Sequence, residues 1–253
     1  MSARRVVLVF ALSALVAGGA PASEVDGTEP EGLTSPPGML SAGRVAPALV
    51  GPVFPAARSG RPVLRLAWID PADVAAGSGS AARGEAKRLL SAMGLDVSWR
   101  SARADQLAIA GEVRVILLDR AAATARRASV LGATPRTPGE QPHLWVHVPG
   151  VRASLGLGPR DASLAEFPAR CRVGVAIGRV IAHEVVHVVA PGVPHGRGLM
   201  ASRFSTRDLT TGDAAVEPEV ALAVRTALLG GGSFPPVAET GLVAVELAGK
   251  EVE

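Results

Sequence analysis

The chain of 253 residues contains no tyrosine, and its other aromatics amount to 3% of the whole. No phenol is therefore available to stabilise an oxyanion or to move a proton. Cysteine occurs once, at Cys171, so no disulfide can close within the chain. That thiol is either a small buried hydrophobe or a thiolate that ligates a metal. Charge of one sign is not in large excess: 26 basic residues face 23 acidic ones, for a formal charge of +3. The arginines are spread along the chain rather than clustered, which argues against a nucleic-acid partner. No internal repeat is present.

What the sequence does contain begins with an export pattern. Arg4 and Arg5 precede an apolar run from Val6 to about Ala17, followed by Ala20-Pro21-Ala22, an A-x-A cleavage signal. The run falls short of the roughly 20 residues a bilayer span needs. Residues 1–22 read as a signal peptide, so the expected location is periplasmic or secreted, with no stable membrane insertion after cleavage. Cleavage would leave 24 basic residues against 23 acidic ones. Residues 23–60 are rich in Pro, Gly, Ser and Ala and read as a linker or disordered stalk. Residues 61–230 are expected to form the folded domain, and 231–253 a C-terminal tail with no assigned structure. Apolar residues make up 48% of the chain, enough for a core.

Within the domain, Val63–Ile69 reads as a strand. Ala82–Met93 reads as a helix, with Ala86, Leu89, Leu90 and Met93 on one face and Gly94 at its C-cap. Strands are expected at 97–100, 113–119 and 143–148. The stretch 120–141 is ambiguous, because Pro135, Pro138 and Gly139 end whatever precedes them. Helical signal returns from about Arg172 to Ala190, and again over 219–229. This order predicts an α+β or α/β layered domain.

The chemistry concentrates at His183-Glu184-Val185-Val186-His187, an H-E-x-x-H pattern. On a helix, residues i and i+4 stand one above the other about 6 Å apart, so two imidazoles can converge on one ion. A strand would separate them by about 13 Å and turn Glu184 to the opposite face. Helix and metal site therefore stand or fall together. Ile177, Ile181, Val185 and Val189 make that helix apolar nearly all round, hence central and buried, where His and Glu are costly unless a metal engages them. A zinc peptidase needs a third protein ligand. His195 is the leading candidate, reached by a chain reversal at Pro191-Gly192, with Glu217 and Glu219 as alternatives. Three of the five histidines fall within 13 residues.

The segment 183–200 resembles the active-site region of the metzincin clan of zinc peptidases, whose pattern is H-E-x-x-H-x-x-G-x-x-H followed by a turn that places a Met beneath the metal. His183, Glu184 and His187 match position for position. The resemblance implies His195 as the third ligand and Met200, in Gly198-Leu199-Met200, as the Met of the turn. Ala190 stands where the family has Gly, and the third His comes two residues late. In that longer connector the chain is similar to a group of bacterial exported peptidases. The resemblance implies an α+β zincin catalytic domain with a small mixed sheet and an active-site helix, bound Zn2+, and Glu184 as general base. It spans about residues 61–230, and its specific part only 183–200.

The resulting expectation is a monomeric exported metalloendopeptidase acting on peptide or protein substrates, with a water acidified by zinc and deprotonated by Glu184. The competing reading is a non-catalytic exported protein that keeps the metal for stability or partner binding. A fourth protein ligand such as Cys171 would favour that reading, since structural zinc sites are closed. His143 and His147 share one face of the 143–148 strand. They could contact substrate, ligate a second ion, or be ordinary polar residues of an edge strand. The resemblance also suggests that this strand is the edge that pairs with an extended peptide.

Overall fold

The computed structural model describes residues 60–120, 130–136, 140–158, 161–211, 214–230 and 241–247. The expected signal peptide and nearly all of the expected linker lie outside the described residues. The elements in chain order are β1 (Val63–Ile69), α1 (Gly79–Ala92), β2 (Asp96–Ser101), β3 (Glu112–Leu118), β4 (Val130–Arg136), β5 (His143–His147), α2 (Val148–Ser154), α3 (Phe167–Val189), β6 (Arg203–Phe204), α4 (Thr206–Thr210), α5 (Pro218–Leu229) and β7 (Gly241–Leu247). The domain is α+β, built on one mixed sheet in the order β2-β1-β3-β5-β4-β7-β6. β2, β1, β3 and β5 run parallel. β4 is antiparallel to both its neighbours, β5 and β7, and β6 is parallel to β7.

The parallel half of the sheet is held by an apolar layer. Leu64, Leu66, Val113, Val115, Leu117, Leu144 and Val146 are all buried, as strands covered by helices require. α1 adds Ala82, Ala86, Leu89, Leu90 and Met93 to the same core, all buried. It ends at Met93, and Gly94 follows at φ 87°, the left-handed position a helix terminus favours for glycine.

The longest helix, α3, packs closely on α1, and two glycines set the distance. A Cβ at Gly174 would come within 2.6 Å of Ala81 Cβ and the Ser78 carbonyl, and one at Gly178 within 2.5 Å of the Ala82 carbonyl. Larger residues at those points would push the helices apart. α3 begins at Phe167, five residues ahead of the expected start, with Pro168 in its first turn, where a missing N–H costs nothing. It is buried along nearly all of its second half. No helix among the described residues is long and apolar enough to cross a membrane.

Four points differ from, or complete, the sequence expectation. The ambiguous stretch contains β4, whose Pro135 lies opposite Leu242 of β7. The strand at 143 stops at His147, because Pro149 opens α2. β5 is not an edge strand: β3 pairs on one side of it and β4 on the other. Beyond Gly230, the stretch without assigned structure supplies β7, while 231–240 and 248–253 lie outside the described residues.

Candidate metal centre

α3 presents His183 and His187 one turn apart on its buried face, exposed by 0% and 3%, with Glu184 at 0%. The helix ends at Ala190, and a turn closed by Val193 N–H donating to the Ala190 carbonyl (3.0 Å) reverses the chain, as Pro191-Gly192 led one to expect. The return brings His195 back to the helix. Its Nε2 lies 3.1 Å from His187 Nε2, which in turn lies 3.1 Å from His183 Nε2. The ring nitrogens of the three residues fall within 4.8 Å of one another, and this is the one group among the described residues able to hold a metal ion.

The segment after His195 is held from both sides. Gly196 N–H donates to the Met200 carbonyl (2.8 Å), Met200 N–H to Arg197 (3.0 Å) and Leu199 N–H to Ala215 (3.1 Å). Gly198 sits at φ 56° with the Ala215 carbonyl where a Cβ would stand, so only glycine fits. Leu199 and Met200 are buried in the resulting 3₁₀ turn. Its function for the histidines is concrete: the Leu199 carbonyl accepts a hydrogen bond from His183 Nδ1 at 2.7 Å.

That bond decides the tautomer. A carbonyl can only accept, so Nδ1 carries the proton and the Nε2 lone pair points toward the other two rings. Burial drives the His183 pKa down to about 4, partly offset by the Leu199 carbonyl, with His195 nearby lowering it further. Burial lowers that of His195 as well. His187 Nε2 at 3.1 Å from both neighbours' Nε2 atoms, with all three ligand atoms within 4.8 Å, suits a shared cation. Nitrogens bound tetrahedrally at 2.0–2.1 Å would stand roughly 3.3 Å apart. His183 is braced on its far side by Phe204 of β6, edge-on at 5.5 Å.

Glu184 lies against β4. Thr134 Oγ1 donates to its Oε2 at 2.7 Å and lies 3.2 Å from its backbone carbonyl. Gly132 makes room: a Cβ there would fall 2.5 Å from Val180 Cγ1 and 3.0 Å from Glu184 Cγ and Oε1. Neither Thr134 nor Gly132 stood out in the sequence, because β4 itself was hidden among prolines and glycines.

The other candidates lie elsewhere. Cys171 is half-buried on α3, twelve residues and so about 18 Å along the helix from His183. Glu217 holds the N-cap position of α5 without a side-chain cap bond, its carboxylate beside Gly196, and Glu219 lies in the first turn; neither joins the histidine group. His143 Nδ1 donates to the Gln141 carbonyl (3.0 Å). The half-buried His147 ring packs on Gly150, and burial lowers its pKa despite opposing effects from Val130 and Asp119. Four residues apart on a strand, these two histidines are too distant to share an ion.

No protein-family model, curated protein or solved structure matches the chain.

Proposed function

We propose that the chain is a zinc-dependent endopeptidase of metzincin type, exported by its N-terminal signal, with His183, His187 and His195 as metal ligands and Glu184 as general base. The observation that carries this reading is the gathering of the three Nε2 atoms at a helix that also carries Glu184, whose buried carboxylate is held by Thr134. Three histidines leave a tetrahedral ion one open position, the mark of a catalytic rather than a structural site. Their donor set suits zinc among the common divalent metals.

Each residue then has a task. Leu199, through His183 Nδ1, fixes which nitrogen His183 offers. His195, on the exposed turn, leaves the site open toward solvent, while His183 and His187 close its floor. Thr134 holds one oxygen of Glu184, which fixes the carboxylate against β4. Zinc, when bound, supplies Lewis acidity toward a water and the scissile carbonyl. Glu184 takes the proton of the attacking water and delivers it to the departing amine. With no tyrosine in the chain, a phenol takes no part. Met200 serves as the buried base of the turn beneath the histidines.

Zinc content and peptide hydrolysis of the parent and of Glu184→Gln test the reading together. The expected result is about one zinc per chain in both, with hydrolysis of a peptide library reduced 10²–10⁴-fold in the variant, the usual contribution of a general base. A variant that still hydrolyses peptides at the parental rate overturns the mechanism. A second reading, a non-catalytic metal-binding protein, has one observation in its favour: β7 already pairs with the β4 edge beside Glu184. Under that reading, parent and variant bind zinc and neither hydrolyses peptide.

A further inference from the structure

β7 joins two elements that each touch the candidate centre. Along one flank it pairs antiparallel with β4, Val243 opposite Thr134 and Val245 opposite Gly132. Those two β4 residues are the ones that hold and accommodate Glu184. Along the other flank it pairs parallel with β6, Glu246 opposite Arg203 and Leu247 opposite Phe204, and Phe204 braces His183. The strand also lies against α3 itself. Without β7, β4 would offer an unpaired edge running past Glu184, and such an edge takes up an extended peptide by strand addition.

We propose that β7 occupies the substrate groove: residues 241–247 are an internal competitor, and the site accepts an extended apolar peptide antiparallel to β4 once they are displaced. This rests on the peptidase reading for its catalytic consequence, but not for the occupancy itself. The sequence of the segment, Gly-Leu-Val-Ala-Val-Glu-Leu, then describes the ligand class: small and β-branched apolar residues with high strand propensity. A tethered segment acts at an effective concentration of the order of millimolar. A peptide of the same sequence supplied in trans at about 0.1 mM is therefore outcompeted roughly tenfold.

The test uses the full zinc-loaded chain and a fluorescein-labelled peptide copying residues 241–247, followed by anisotropy, with hydrogen exchange over 130–136 and 241–247. Val243→Pro removes a backbone N–H opposite Thr134 and disfavours strand pairing. The expected result is that this variant binds the labelled peptide at least about tenfold more tightly than the parent, that binding protects 130–136, and that library hydrolysis rises with it. In the unaltered chain, 241–247 should exchange well ahead of β3 and β5, a readout that needs no variant to fold. Exchange of 241–247 as slow as that of β3 and β5 makes β7 a permanent member of the sheet and overturns the proposal. So does a folded Val243→Pro variant that fails to bind the peptide. Peptide binding with protection of 130–136, but without hydrolysis by either zinc-loaded chain, upholds the occupancy and removes the peptidase reading instead.

Discussion

Arg179 and His183 stand one turn apart on α3, both buried, and the helix treats them in opposite ways. Around Arg179 every charge is answered from within the chain. Its Nε donates to Glu85 Oε1 at 3.0 Å, and its Nη1 donates to the carbonyls of Asp208 (2.5 Å) and Thr211 (3.2 Å). Arg88 completes Glu85 with two further bonds of 2.8 and 2.9 Å. Burial alone would raise the Glu85 pKa, but Arg88 and Arg179 together hold it below the ordinary carboxylate range. Around His183 the polar atoms converge instead of closing: three Nε2 atoms face one another. A buried charge that the chain itself compensates belongs to stability. Imidazole nitrogens gathered together, two of them buried, are organised to hold a ligand.

Leucine at Arg179 and at His187 should have opposite consequences for the two turns. Arg179→Leu strips Glu85 of one partner and leaves two α4-side carbonyls without their donor. Breaking a buried pair from one side costs about 3 kcal/mol, which urea unfolding of the metal-free chain would register. His187→Leu replaces a crowded imidazole by an apolar side chain of similar size. Zinc binding should be lost, while metal-free stability stays within about 1 kcal/mol of the parent. If His187→Leu destabilises the metal-free chain as much as Arg179→Leu does, the histidines are structural and the distinction between the two turns fails.

Acidification sharpens the same contrast with a somewhat smaller effect. In the metal-free chain His183 has its pKa lowered to about 4 from an ordinary 6.5. Between those values the unfolded chain binds a proton that the folded chain refuses, so stability rises with pH across that window. The contribution is present in full above about 6.5 and is lost as pH falls toward 4. A shift of that size corresponds to about 3 kcal/mol. His195, also shifted downward, adds in the same direction. The Arg179–Glu85 pair acts only lower, where Glu85 itself takes up a proton. Melting the metal-free chain from pH 7 to pH 4 should therefore show loss beginning near 6.5, and much less of it in a His183→Gln variant. A flat profile down to pH 4.5 would contradict the burial of a neutral His183.

The site and its scaffold were legible to different degrees. Local periodicity suffices for Val63–Ile69, for the buried face of α1, and for the helix carrying His183 and His187, whose i, i+4 spacing is itself the signal. The return of His195 was readable because Pro191 and Gly192 mark the turn that makes it. What resisted reading depends on partners distant in sequence. β4 holds Pro135 and Gly132, residues that weaken any strand pattern, and it exists because β5 and β7 pair with it. For the same reason β5 looked like an edge: nothing between 143 and 148 announces that Val130–Arg136 will cover it. β7 follows a glycine-rich stretch and finds its place only through β4 and β6. Thr134 is the functional cost of this blindness, since its bond to Glu184 spans 50 residues.

Thr134 gives the finest test of what orientation alone contributes. Whatever its backbone pairs with, its side chain acts on the proposed mechanism only by holding Glu184 Oε2 at 2.7 Å, so it is a positioning residue. Thr134→Val keeps the shape of the side chain and removes the donor. One hydrogen bond to a charged group is worth about 1.5–3 kcal/mol. Because Glu184 keeps its place on α3, only the lower end of that range should reach the transition state, a fall in kcat of about tenfold. KM and zinc content should not move, since the ligands and the β4 backbone are untouched. Thr134→Ser, which restores the hydroxyl, should recover most of the rate. A loss that appears in KM, or that Thr134→Ser fails to recover, would mean Thr134 serves the packing of β4 on α3 rather than the aim of the carboxylate.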